Sequence, residues 1–355
     1  VSVPPFKSDV TREIDIIEEV LRVYGYDHVP MQGHLKMPLV HETGINKEAL
    51  KGSIADMMSA NGFVEIMNNS LTKASYVDEM VPERAENSVK ILNPLSSDLN
   101  AMRQSLVFGG LESIARNINR QRPNLKLYEF GNLYFKTDGQ NWPYHETEAL
   151  GVFVTGKWNT GNWSTPEEDS AFHHLKSAVQ LIFNRLGLKY KVTELPQDMP
   201  EMFGYGLQFT QGKKVLAQIG SVNSKWCNKF DIEQEVFHGF VLWNEVLSSL
   251  KQGKSPVKDL PKYPSVRRDL AMLVGKDVQF GTMEKIAKQA DQKLLKEVDL
   301  FDVYEGKGIP EGKRSYALSF ILQDENTTLN DKVIDKTMNR IQAALEKEVG
   351  AELRG

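Results

Sequence analysis

Asp9, Asp15, Glu18 and Glu19 are residues whose types and spacing could do chemistry. From about Arg12, the residues Ile14, Ile17, Val20, Leu21 and Val23 recur at helical spacing, which predicts an amphipathic helix. On it Asp15, Glu18 and Glu19 stand at i, i+3 and i+4, so all three carboxylates project from one side. Asp9 lies just before the helix and could join them. Four clustered carboxylates repel one another, and a divalent cation would relieve that repulsion. An all-oxygen donor set favours Mg²⁺ over a transition metal. A plainer explanation exists: acidic residues early in a helix are favoured by the macrodipole, and Glu18 can pair with Arg22 at i+4. Spacing alone favours the plainer one.

Two other sets invite chemistry and fail on spacing. His173 and His174 are adjacent on the start of a predicted helix over Phe172–Leu186. Adjacent helical side chains diverge, so a zinc pair is disfavoured and a solvated helix start is expected. The loop Gly306–Lys313, GKGIPEGK, superficially resembles a phosphate loop. Its glycine spacing is wrong, Arg314 stands where Ser or Thr is needed, and it joins two predicted strands instead of opening a helix.

The elements that position these groups follow from pattern. The stretch Leu92–Phe135 reads as a turn at Asn93-Pro94, a helix through Met102, Leu106, Leu111, Ile114 and Ile118, a basic exit at Arg116, Arg120 and Arg122, and a strand. Ser96, Ser97 and Asp98 offer caps for that helix. Leu125, Leu127, Leu133 and Phe135 predict one buried strand face, and Gly131 a bulge or close backbone approach. Before it come a helix ending near Asn61-Gly62 and strands at Phe63–Asn68 and Ser88–Leu92. After it come a hairpin about Gln211-Gly212 and a strand Val236–Trp243, with Asn244 as the cap of a short helix. Beyond the Pro- and Lys-rich linker Ser255–Pro264, the order β-α-β-β-α-β is that of a ferredoxin-like unit.

A length of 355 residues predicts two or three domains, and 41% apolar with 25% charged residues is an ordinary globular composition. Cys227 is the single cysteine, which excludes an internal disulfide and suggests a reducing compartment. No run is long and apolar enough to span a bilayer. The chain starts at Val1 without Met, so a piece of a longer polypeptide is expected. The net charge is −4, with +1 on residues 254–355 and −5 on the rest. Any nucleic-acid contact must come from local patches.

Three groups of stretches resemble one family, in one order. DVTREIDIIEEVLRVYGYDHVP resembles the end of the domain that precedes the catalytic-like module in the β subunit of bacterial phenylalanyl-tRNA synthetase. MRQSLVFGGLESIARNINR with LYEFGNLYF, then AFHHLKSAVQLIFNRLGL and IGSVNSKWCNKFDI, resemble that module. YPSVRRDLAMLV, LKEVDLFDVYEG and the stretch from RSYALSFILQ to the end resemble its ferredoxin-fold anticodon-binding domain. The resemblance implies an α+β chain: a preceding-domain end and linker at 1–37, a class II synthetase-like antiparallel sheet module at 38–253, and a ferredoxin-like βαββαβ domain at 254–355.

The resemblance also implies function. The chain would be the non-catalytic β subunit of phenylalanine–tRNA ligase, cytoplasmic, in an α2β2 heterotetramer that uses ATP and tRNA-Phe. The carboxylate pattern would then be a Mg²⁺ site at the junction with the α subunit, on Asp9, Asp15, Glu18 and Glu19. An adenylate-forming class II module needs arginines on its motif-2 strand and near motif 3. The strand Asn124–Phe135 and the stretch Val236–Leu247 hold none, so no catalytic residue is expected here. For tRNA, the candidates are Lys262, Tyr263, Arg267 and Arg268. The plain alternative makes Arg267-Arg268 a solvated strand entry. A ligase competent alone is disfavoured by the missing arginines. A stand-alone RNA-binding or interaction protein reusing these folds is the remaining alternative.

Overall fold

The computed structural model describes residues 2–30, 33, 44–137, 142–196, 202–250 and 260–354. It forms two compact units, residues 1–253 and 254–355. The expected boundaries at 37/38 and 253/254 lie outside the described residues.

In the first unit, α1 (Glu13–Tyr24) is the predicted acidic helix, ended at Gly25 with φ 91°, a conformation glycine adopts without strain. α2 (Lys47–Ala60) is capped by Asn46, whose Oδ1 accepts from Ala49 N at 2.9 Å. Gly62, φ 82°, then turns the chain into β1 (Val64–Glu65). Short β2 (Leu71–Thr72), α3 (Ala74–Met80) and β3 (Ala101–Met102) lead to α4 (Val107–Ile118). β4 (Leu125–Lys136) and β5 (Tyr144–Thr155) form a long antiparallel ladder. A small hairpin, β6 (Lys157–Asn159) and β7 (Glu168–Asp169), precedes α5 (Phe172–Arg185). β8 (Lys191–Glu194), β9 (Phe203–Gln211), β10 (Lys214–Val222), α6 (Ser224–Lys229), β11 (Val236–Leu242) and α7 (Trp243–Ser249) complete it. The sheet order is β1-β4-β5-β11-β10-β9-β8, antiparallel apart from the parallel β1–β4 pair.

That sheet is covered on both faces. Ile54 and Met58 of α2, Leu175 and Val179 of α5 and Trp243 of α7 pack with Tyr128 and Val152. Phe108, Leu111 and Ile114 of α4 pack with the alternating partners Leu127 and Phe153. β4 is therefore buried on two faces, not the single face its leucines suggested. Three local expectations also change. Met102 is held on β3 opposite Leu71, so α4 begins five residues later, and Ser105 Oγ, not Ser96, Ser97 or Asp98, accepts from Val107 N. The segment expected as strand Ser88–Leu92 makes only a Lys90–Ala101 bridge. Asn244 does not cap α7; its side chain donates to Thr147 Oγ1 at 3.0 Å.

The second unit contains β12 (Val266–Gly275), α8 (Phe280–Ala290), β13 (Leu295–Tyr304), β14 (Lys313–Leu322), α9 (Asp331–Val349) and β15 (Glu352–Leu353). The sheet order is β13-β14-β12-β15, all antiparallel, the split βαβ arrangement expected. Met272, Val274, Leu318 and Phe320 face Ile341 and Leu345 of α9. Asn330 caps α9 through Val333 N, and Gly350 ends it in the left-handed region. Among the described residues of this unit, helices pack on only one sheet face, and within the unit the other face is open.

Candidate functional site

On α1 the four carboxylates do not form a cage by themselves. Asp15 Oδ2 accepts from the backbone N–H of Thr11 and Arg12 at 3.0 and 2.8 Å, a helix-start bond from N3 back to the cap. Glu19 pairs with Arg22 at 3.0 Å; the pairing expected of Glu18 falls to its neighbour. Asp9, Glu18 and Glu19 are exposed. The apolar stripe beside them is also bare, with Ile14 and Val23 exposed by 60% and 91%.

Among the described residues, Glu168, His173 and His174 are the one group of three or more His, Cys, Asp or Glu with ligand atoms within 4.8 Å of one another. Hydrogen bonding argues against a metal there. His174 Nδ1 accepts from Ala171 N at 3.0 Å, so Nε2 carries the proton and donates it to Glu168 Oε1 at 3.0 Å. Neither nitrogen keeps a lone pair for a cation. The expected solvated helix start is corrected here. His174 is buried, its ring stacked on Trp158 at 4.2 Å, and burial, then His173, lowers its pKa. Cys227 is no nucleophile either, since burial pushes its thiol up to about 11.

On β4, next to the edge strand of the module's sheet, stands a buried ion pair. Glu129 of β4 is 1% exposed, and Arg103, which follows β3, reaches over the strand to meet it at 2.6 Å. Arg103 Nε also donates to Asn132 O at 2.9 Å and Nη1 to Asn68 O at 3.2 Å. Asn68 gives Glu129 both its backbone N–H and its side-chain amide, and Ser113 of α4 donates to Asn68 Oδ1. Gly131 lets the guanidinium in, because a Cβ there would collide with it; of the bulge or close backbone approach expected at this glycine, the bulge is absent, β4 pairing in register with β5, and what approaches the backbone is a side chain. A cleft of about 850 Å³ opens above, with Arg116 and Arg120 on its wall. These two arginines and Arg122 are exposed, at the end of α4 and beyond it, off the strand.

In the second unit, Arg267 lies on the open sheet face. Its guanidinium sits 5.1 Å from the Phe301 ring centroid and its Nε donates to Asp269 at 2.8 Å. Arg268 points the other way, to Asp331 at the start of α9, at 3.6 Å. Lys262 is exposed, and Tyr263 is half-buried with its carbonyl accepting from Gln323 at 2.8 Å. The four candidates thus do not share one face. The open face adds residues that sequence reasoning missed: Phe301, Tyr304, and Arg354, whose guanidinium lies 5.2 Å from the Tyr304 ring. The signal was present in LFDVY, two aromatics on a strand of mixed polarity.

A family model described as phenylalanyl tRNA synthetase beta chain CLM domain matches residues 35–239, more than half of the chain. The chain belongs to the phenylalanyl-tRNA synthetase beta chain family. A tRNA synthetase B5 domain model matches residues 1–26 of this family member, and a ferredoxin-fold anticodon binding domain model matches 261–354. The beta-chain relatives include proteins named phenylalanine–tRNA ligase beta subunit. Those of Bacteroides fragilis and Bacteroides thetaiotaomicron are 44% and 45% identical over 361 residues. That of Thermotoga maritima is 30% identical over 356. Each match takes in 99–100% of this chain and 44% of the relative. This beta-chain sequence therefore spans under half the length of the curated relatives it matches. Among its described residues no helix is long and apolar enough to cross a membrane.

Proposed function

We propose that this chain acts as part of the β subunit of phenylalanine–tRNA ligase, in the cytoplasm. It supports the catalytic α subunit in an α2β2 assembly and binds tRNA-Phe, while ATP is consumed on α. Residues 1–37 end the preceding domain, 38–253 form the inert module and 254–355 the anticodon-binding domain. The carrying observation is the buried Arg103–Glu129 pair. Adenylate formation needs fixed guanidinium donors for a phosphate. β4 supplies a carboxylate instead, and among the described residues the arginine that reaches it, Arg103, is consumed by that carboxylate. Three domain models in one order support the same reading. The test is phenylalanine-dependent ATP–pyrophosphate exchange with the full-length protein, with and without co-expressed α. Exchange is expected only in the complex; exchange by this subunit alone overturns the reading, as does failure of α to co-purify.

tRNA contact is assigned to Lys262, Tyr263, Arg267 and Arg268, with Phe301 and Tyr304 as flat surfaces for bases. Aromatic rings stacked by arginine on an open sheet suit unpaired nucleotides. The Lys262→Glu/Arg267→Glu variant should bind tRNA-Phe roughly 10-fold more weakly, with the slope of log affinity against log salt reduced by about 1–2. Unchanged affinity leaves these residues as a solvated strand entry.

Asp9, Asp15, Glu18 and Glu19 are assigned to Mg²⁺ at the α junction. The donor set fits a hard cation: every group is a carboxylate, Asp15 spends one oxygen on the backbone, and Glu18 has no ion-pair partner among the described residues. Bound Mg²⁺ would neutralise the acidic face where the subunits meet. Isothermal titration of the assembled heteromer with Mg²⁺ should lose one site in Asp15→Ala/Glu18→Ala. Equal stoichiometry in both proteins refutes the assignment.

A further inference from the structure

The end of α4 carries charge that the assigned sites leave unused. Between Glu112 and Glu129 the chain holds Arg116, Arg120, Arg122 and Lys126 and no Asp or Glu. Lys126 is engaged, its ammonium 3.4 Å from the Trp158 ring centroid. The three arginines are exposed, and their side chains have no ion-pair or hydrogen-bond partner among the described residues. Of the carboxylates in the neighbouring cleft, Glu112 accepts from the Tyr76 hydroxyl at 2.7 Å and Asp98 pairs with Lys73 at 3.4 Å; Asp231 pairs with none of the three arginines. The helix dipole favours a cation in the last turn, which accounts for Arg116 and not for three arginines around one end. The backbone gathers them. Arg120 N donates to Asn117 O at 3.0 Å, Gln121 N to Ile118 O at 2.9 Å and Arg122 N to Asn117 O at 3.0 Å. Gln121 takes φ 62° to close this turn, a left-handed conformation that glycine would adopt without strain. The chain folds back there, so Arg122 is held at the end of α4 with the other two.

We propose that this helix end is a further RNA contact, in which Arg116, Arg120 and Arg122 take backbone phosphates of the tRNA; it rests on the reading of the chain as a tRNA binder. Guanidinium forks match phosphate oxygens, and unpaired arginines release counterions when they meet them. Arg116 and Arg120 stand at i, i+4, with Cβ atoms about 5–6 Å apart, close to the spacing of successive phosphates on one RNA strand. Residues 116–122 hold no aromatic ring to stack a base and no carboxylate to accept from one, so the contact positions the RNA without reading its sequence. An acidic protein segment fits less well. Protein interfaces rest on apolar and aromatic anchors, and no large apolar side chain between 113 and 125 is exposed.

Fluorescence anisotropy of labelled tRNA-Phe with the full-length protein co-expressed with α, across a salt series, tests this. In Arg116→Gln/Arg120→Gln/Arg122→Gln, affinity is expected to fall roughly 10–100-fold and the slope of log affinity against log salt to drop by about 2. The loss should be equal for a non-cognate tRNA, because phosphates carry no sequence. Arg116→Lys/Arg120→Lys/Arg122→Lys should keep most of the wild-type slope, since its charges remain. Unchanged affinity and slope in the glutamine variant overturn the proposal and leave the arginines as a solvated helix end. So does loss of α from the purified glutamine variant, which would make them a subunit contact. If the wild-type complex itself binds no tRNA, the reading of the chain as a tRNA binder falls and this contact with it; wild-type binding with an unaffected variant strikes the helix end alone.

Discussion

Glu129→Ala is expected to cost about 3–5 kcal/mol of folding stability, the usual penalty for removing one partner of a buried ion pair. The substitution deletes the acceptor that holds Arg103 at 2.6 Å and leaves a guanidinium that is 7% exposed without a counter-charge. It also strands the Asn68 amide, which donates to Glu129 through backbone and side chain. Urea unfolding measures the loss. The control is Glu129→Leu/Arg103→Met, which removes both charges and keeps volume. That double variant should be more stable than the single one, because an apolar pair of similar size is often neutral in place of a buried salt bridge. Some loss remains, since Asn132 O and Asn68 O lose their donor. If single and double variants unfold at the same urea concentration, charge pairing is not what the network contributes. If Glu129→Ala is as stable as wild type, the carboxylate is not buried as described.

The pair also shows what the sequence could and could not reveal. Gly131 reads from sequence as a bulge or a close approach, because a glycine inside a strand leaves room where a side chain would stand, and the in-register β4–β5 pairing rules out the bulge. Which group fills the room was not readable: Arg103 is 26 residues from Glu129, and no periodicity links them. The same holds for β4. Its leucines alternate and announce one buried face, yet Tyr128 and Leu127 are both buried because helices cover the sheet on two sides. Local repeats were legible throughout the second unit, where β12, β14 and α9 each bury one face against a single core. The open face was less so. A register shift between Leu300 and Asp302 decides where Phe301 stands, and strand alternation counted from Leu295 cannot anticipate a bulge. For α1, the helix and its carboxylates followed from spacing, whereas Asp15 turning back to Thr11 and Arg12 depended on cap geometry.

His238 should make the first unit acid-sensitive from about pH 6.5 downward, a window that opens above the range of ordinary carboxylates. It is 0% exposed on β11, with its ring stacked on Phe153 at 4.4 Å and facing Phe203 at 6.1 Å. Nδ1 lies 3.2 Å from Val152 O, which can only accept, so Nδ1 carries the proton; Nε2 is buried with no partner among the described residues. Burial in this aromatic stack pushes the pKa from 6.5 down to about 4, because a charged imidazolium there would lose its hydration. The unfolded chain binds a proton near pH 6.5 and the folded chain does not until about pH 4. Stability is therefore fully present above 6.5 and falls as pH drops through that interval, by about 3 kcal/mol for the whole shift. Urea midpoints measured from pH 7.5 to 4, for wild type and His238→Phe, isolate the effect, since carboxylate contributions cancel in the difference. The variant curve should be flatter by that amount between pH 6.5 and 4, whatever its absolute stability. Parallel curves would mean that His238 charges in the folded state as readily as in the unfolded one, and that its stack admits water.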